Sequence, residues 1–310
     1  MDSMGESSMD VIHNHLEELE CMKKCDPDVL IADLINNQQK IKINYALYYN
    51  EEQDRLWKEH YYCNVTTNST DPLLLYHDFS RLITNTHQYK LPYYISKDQY
   101  LYTWVDLQPN GKLKCIYSGN RKNPQKLIEE DFEVIEKRFI RYRDLIKRQR
   151  YSKQRMNKKA KNISKQYKFN TEHVVPQSWY RAKEPMKGDL HHLFACEPRC
   201  NTMRSNFPYF HYEDVTSRDV CGISRINGFE PTYGKGIVAR AALYFLLRYP
   251  KQITKRFRKT INISLLLRWH EEFEVSEYEK HRNKAIYEIQ GNRNPFIDFP
   301  DLMANIAFPN

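Results

Sequence analysis

Residues 169–210 read FNTEHVVPQSWYRAKEPMKGDLHHLFACEPRCNTMRSNFPYF, and this stretch decides how the rest of the chain is read. It gathers Glu172-His173, Asp189, His191-His192 and Asn201, with Arg181, Arg199 and Arg204 interleaved. Each residue type has a use in cutting a phosphodiester. An imidazole with a pKa of about 6.5 takes a proton from water at neutral pH. A carboxylate and an amide oxygen are hard ligands suited to Mg²⁺, which keeps several waters and accepts a phosphate oxygen. Arginine grips phosphate through two parallel hydrogen bonds.

Pro198 suits the first position of a helix, and the segment to Ser205 reads as a short helix that Phe207-Pro208 ends. Asn201 and Arg204 are three apart and share a face, so a metal ligand sits beside a phosphate clamp. Glu172-His173-Val174-Val175 reads as a strand broken by Pro176. Neighbouring strand residues point to opposite sides, so Glu172 and His173 serve one site only if the backbone bends there.

Outward from this stretch, Tyr102, Trp104 and Leu107 precede Asn110-Gly111, and Leu113, Cys115 and Tyr117 follow. That pattern predicts a β-hairpin over 101–117. After Pro124, the spacing of Phe132, Ile135, Phe139, Tyr142 and Ile146 predicts an amphipathic helix. The polar tract 151–165 is expected to be an exposed loop. Further helices are predicted over 237–249, 263–273 and 276–290, the last capped by Gly291. Residues 1–75 carry helical spacing in Val11, Leu16 and Leu19 and again in Val29, Leu30, Leu34 and Ile35. They are expected to form an N-terminal helical extension, and 76–310 the main domain.

The chain has 310 residues and a net charge of +9, unevenly spread. Between 137 and 168 stand 14 Lys or Arg and one acid, so this strip carries +13 and the remainder −4. Such a strip points to a polyanion, nucleic acid first and an anionic membrane second. Arg148, Arg150, Arg155, Lys158 and Lys159 in the strip, with Arg181, are the candidate nucleic-acid contacts. No run approaches the length of a membrane span. Neither G-x-G-x-x-G nor a P-loop occurs, and no H-E-x-x-H marks a metalloprotease, so no small-molecule cofactor is expected. The seven cysteines contain no C-x-x-C pair, and the start MDSMGESSMD shows no export signal. Reduced thiols in a cytoplasmic protein are therefore expected, with a secreted or periplasmic location if an export signal was removed. A structural zinc on Cys196, Cys200 and Cys221 is a weaker alternative.

Glu-His-Val-Val-Pro-Gln-Ser-Trp (172–179), Asp-Leu-His-His-Leu (189–193) and Asn-x-x-Arg-Ser-Asn (201–206) resemble the core of the bacterial endonuclease I family. That family comprises nonspecific nucleases of the His-Me finger, or ββα-metal, class. Gln-Gly-Asn-Arg-Asn-Pro-Phe-Ile-Asp (290–298) resembles its C-terminal signature. The resemblance runs from about residue 90 to 310. It implies an α+β fold with a ββα-metal core near 168–206, a β-hairpin and surrounding helices. It further implies that His173 is the general base and that Glu172 and Asn201 hold one Mg²⁺, with Mn²⁺ or Ca²⁺ able to stand in. His192 would support the site and Arg204 would contact phosphate. The implied activity is hydrolysis of DNA, and of RNA, with little sequence specificity, leaving 5′-phosphate and 3′-hydroxyl ends. A catalytically silent binding module of the same fold remains open, as does a structure-selective nickase or defence nuclease whose selectivity comes from residues 1–75.

Overall fold

The computed structural model describes residues 8–147, 151–213 and 219–309, apart from 66, 68 and 70. Four helices come first: α1 (Ser8–Lys23), α2 (Pro27–Ile43), α3 (Glu51–Tyr61) and α4 (Pro72–Thr86). Asp26 and Asp71 cap α2 and α4 through side-chain bonds to backbone amides, each followed by proline at the first helical position.

The strand expected over 101–107 is helical instead. Helix α5 opens at Tyr93–Ile95 and continues in wide π-type turns through Ser96–Val105. Leu101, Tyr102 and Val105 all face the interior, a helical spacing that the alternation of Tyr102 and Trp104 disguises. The Tyr102 hydroxyl fixes the arrangement by meeting Asp131 and Thr171. Asn110-Gly111 does form a tight turn, closed by Gly111 N–H to the Gln108 carbonyl, but it joins α5 to β1 (Leu113–Lys114). The actual hairpin pairs β1 with β2 (Arg121–Lys122) across a turn where Gly119 takes a φ of +71°, a conformation glycine adopts without a Cβ penalty.

Helix α6 (Pro124–Lys147) follows as expected. The polar tract beyond it is a helix, not a loop: α7 (Lys153–Gln166), with Ser152 as its N-cap. Met156 and Ala160 are buried on one face with Ile163 packed beside them, so a narrow apolar stripe docks a segment whose charge suggested exposure.

The stretch 169–210 supplies β3 (Thr171–His173), β4 (Leu193–Ala195) and α8 (Pro198–Arg204). β3 and β4 pair antiparallel, Glu172 opposite Phe194 and His173 opposite Leu193. β4 lies between two apolar clusters. Phe194 joins one, built on the C-terminal helices, while Leu193 and Ala195 join the other, built on α1, α2, α5 and α6. Opposite faces of one strand thus tie both halves of the interior to the same three residues. A second hairpin, β5 (Gly222–Arg225) with β6 (Gly228–Pro231), precedes the helices α9 (Lys235–Arg248), α10 (Lys255–Arg258), α11 (Ile263–Glu272) and α12 (Glu277–Gln290). Ser276 and Glu279 form a capping box at the start of α12, and Gly291 ends it in the left-handed conformation. Two short turns, α13 (Pro295–Asp298) and α14 (Pro300–Met303), complete the chain.

Asp189 pins the loop before β4 to these helices. Its buried carboxylate accepts bonds from the Tyr244 and Tyr249 hydroxyls at 2.8 and 2.9 Å, from the His191 amide at 3.0 Å and from Gln290 at 3.1 Å. Asp189→Ala would strand four buried donors, and we expect it to lower unfolding free energy by about 3–5 kcal/mol; urea titration of the purified variant measures this.

Candidate active site

His173 ends β3, and Glu172 precedes it, yet both line one cleft of about 330 Å³ together with Asn201 from α8. The cleft wall also includes Tyr93, Gln177 and Lys187, and from α1 it takes His15, Glu18, Leu19 and Met22.

The His173 ring is fixed at both nitrogens. Nε2 lies 2.9 Å from the Lys187 carbonyl, which can only accept, so Nε2 carries the proton and Nδ1 is the basic nitrogen. The amide nitrogen of Gln177 reaches Nδ1 at 3.1 Å. Burial, reinforced by His192, pulls the His173 pKa well below its usual value, leaving a neutral base at pH 7. His192 is fully buried, 5.4 Å from the His173 ring, with its Nε2 on the Met186 carbonyl. It does not line the cleft. The consecutive carbonyls of Met186 and Lys187 therefore hold the two imidazoles, one each.

Glu172 is 3% exposed. Its Oε1 accepts the Tyr117 hydroxyl at 2.7 Å and lies 3.4 Å from Arg204 Nε. Burial raises its pKa to about 7, and Arg204 and Tyr117 pull against that rise. Asn201 donates its amide to the Thr171 carbonyl at 2.8 Å, which fixes the side chain and leaves Oδ1 as an acceptor. A carboxylate oxygen and an amide oxygen on one wall suit a hydrated hard cation.

Arg204 is placed differently from expectation. It is fully buried and lies outside the cleft lining; its guanidinium donates to the carbonyls of Val174 (2.9 Å) and Phe207 (2.6 Å) and stands beside Glu172. The chain reverses at Ser205, which has a φ of +52°, and the side chain is drawn inward to those carbonyls. It stands against the Glu172 carboxylate and does not line the cleft where a phosphate was expected to meet it. His191 is likewise internal, on the Asn292 carbonyl, and Arg293 locks the C-terminal loop through Asp54 and Asp298.

Of the candidate nucleic-acid contacts, Arg155 and Lys158 are exposed on α7 and Lys159 is half-buried over the Tyr151 ring. Arg181 is exposed and away from the cleft lining. Arg148 and Arg150 lie outside the described residues. Two basic residues of the same strip, Arg138 and Lys168, do line the cleft. The sequence signalled the strip but not which of its cations turn inward.

The cysteines also depart from expectation. Cys200 of α8 and Cys221 beside β5 form a disulfide, with Cα atoms 5.1 Å apart. That bond consumes two of the three thiols considered for zinc, so this alternative fails. Cys115, Glu197 and Cys200 bring ligand atoms within 4.8 Å of one another, but Cys200 is spent in the same bond.

The endonuclease I family model matches residues 81–301. This chain belongs to the endonuclease I family. It is similar to an extracellular ribonuclease of Bacillus amyloliquefaciens (31% identity over 159 residues, 46% of this chain and 55% of the relative). It is also similar to an extracellular deoxyribonuclease of Aeromonas hydrophila (29%, covering 36% and 50%) and to a periplasmic deoxyribonuclease of the same organism (26%, covering 44% and 66%). The matched regions span about half to two thirds of these endonuclease I relatives. Their names place them outside the cytoplasm, and a disulfide persists in oxidising compartments. The expected cytoplasmic location is corrected accordingly.

Because Arg204 serves a buried carboxylate, Arg204→Met is expected to lower stability by about 3–5 kcal/mol; a thermal melt beside the wild type checks it, and a melt unchanged within error would return Arg204 to a substrate role.

Proposed function

We propose that this protein is a metal-dependent endonuclease of the ββα-metal class, cutting DNA and RNA with little sequence preference. One observation carries the reading: a neutral imidazole, its Nε2 on a carbonyl and its Nδ1 basic, shares one cleft with a buried carboxylate and an amide side chain held by its nitrogen. The pairing of β3 with β4, followed by α8, is the frame expected of such a finger. The names of the relatives, deoxyribonuclease and ribonuclease alike, support a substrate read through its backbone.

In this mechanism His173 Nδ1 takes a proton from water as the oxygen attacks phosphorus. Nε2–H stays on the Lys187 carbonyl, which steadies the imidazolium that forms. The attacking water must displace the Gln177 amide from Nδ1, so Gln177 marks the position the nucleophile takes. The bond from phosphorus to the 3′ oxygen breaks, the 3′ oxygen gains a proton from solvent, and the products carry a 5′-phosphate and a 3′-hydroxyl. Glu172 and Asn201 would hold a hydrated Mg²⁺, whose chemistry when bound is to stabilise the leaving oxygen. Arg204 and Tyr117 orient Glu172 for that purpose, and His192 backs the His173 ring. Arg155, Lys158 and Lys159 on α7, with Arg181, would attract the polyanion at longer range, making binding salt-sensitive.

His173→Ala is expected to reduce plasmid nicking by about 10²–10⁴-fold while DNA binding stays within about twofold, since backbone contacts carry most of the affinity. Chelator should abolish nicking by the wild type. Mg²⁺-dependent nicking at the wild-type rate in the variant would refute the assignment.

A further inference from the structure

Within the cleft, charge is not balanced. Glu18 is paired with Lys187, and Glu172 is faced by Arg204, which lies outside the cavity. Arg138 and Lys168 are left, among the described residues, without an ion-pair partner. The Arg138 guanidinium is held in place: Nε donates to the Tyr167 carbonyl at 2.6 Å, Nη2 to the Ser164 carbonyl at 3.2 Å, and the plane lies 4.4 Å from the Phe169 ring centre. Lys168 is half-buried beside Glu172 without a hydrogen bond of its own among the described residues, and burial lowers its pKa. His15, on α1, stacks on Tyr142 at 5.3 Å and closes the same flank. Glu172 lies near Lys168 and Glu18 near Arg138, but each carboxylate already faces a cation of its own. Two partly desolvated cations held close together are then under-compensated, and a bound anion relieves it.

We propose that Arg138 and Lys168, flanked by His15, form a phosphate-binding subsite that takes a backbone phosphate of the substrate next to the scissile one. The proposal rests on the nuclease reading and deepens it. It also gives α1 a task. That helix precedes the region matched to the family, 81–301, yet it walls the cleft, so this flank is built by the N-terminal segment of this chain. The three residues come from α1, α6 and the stretch after α7, and only their docking creates the site.

The test uses the full chain and a short labelled single-stranded DNA. Lys168→Ala should raise KM about tenfold with kcat changed less than about twofold, and Lys168→Arg should restore KM. His15→Ala should raise KM about threefold, as the loss of a neutral contact would. Equilibrium binding by the His173→Ala chain, with and without Lys168→Ala, is measured in chelator across a salt series. Loss of Lys168 should lower the slope of log affinity against log salt by about one. This arm needs no turnover, so a wild-type chain that fails to cleave sinks the nuclease reading while the subsite is still tested. Unchanged KM and salt slope would overturn the subsite. So would a fall in kcat with KM intact, which would mark Lys168 as a residue that tunes Glu172.

Discussion

A carboxylate proposed to hold a cation must stay still although burial favours its neutral form. Glu172 is fixed, and its charged form favoured, by two neighbours. The Tyr117 hydroxyl and the Arg204 guanidinium flank Oε1, and Arg204 in turn is anchored on the carbonyls of Val174 and Phe207. Through these contacts the hairpin loop, strand β3 and the end of α8 converge on one oxygen atom. Tyr117 also touches Tyr209, which carries the network toward the C-terminal helices. Remove the guanidinium, and a charge of low-dielectric surroundings loses its partner; most of the geometry described above then loses its reference point.

Much of this was legible in the sequence where local chemistry decides local structure. Asn262 caps α11, Ser276 and Glu279 box the start of α12, and Gly291 closes it. Pro198 begins α8 and the pair at Phe207-Pro208 follows its end. Glu172, His173 and Asn201 line one cleft, a grouping that the family resemblance implied and that strand alternation by itself left open. Where tertiary packing decides, the sequence misled. Alternation of Tyr102 and Trp104 imitates a strand, but Leu101, Tyr102 and Val105 are all buried by helical geometry. The charge of 151–165 hides the stripe of Met156, Ala160 and Ile163. Arg204 lies on the helix that carries Asn201, yet the reversal at Ser205 brings the Phe207 carbonyl within its reach, and with the Val174 carbonyl this holds it in the interior. Nothing in a run of 14 cations tells Arg138 and Lys168 from the rest, because facing inward depends on how α1, α6 and α7 meet.

The N-terminal helices share their apolar cluster with Leu193 and Ala195 of β4, so the residues that precede the family match are packed on the same strand that pairs with β3. Glu18 of α1 pairs with Lys187, whose carbonyl orients His173. The placement of α1 and the placement of the imidazole are thus mechanically linked through one residue.

The adjacent carbonyls of Met186 and Lys187, each receiving one imidazole, impose a rule on how the connecting loop can vary. Lengthening or shortening the peptide between 187 and 192 would shift the two carbonyls against the His192 ring that follows them and the His173 ring on β3, loosening both contacts. Natural variation in loop size should therefore accumulate ahead of this dipeptide, among the exposed residues 181–183, while the register from Glu184, whose carboxylate holds the Tyr93 and Gly188 amides, to 192 stays constant.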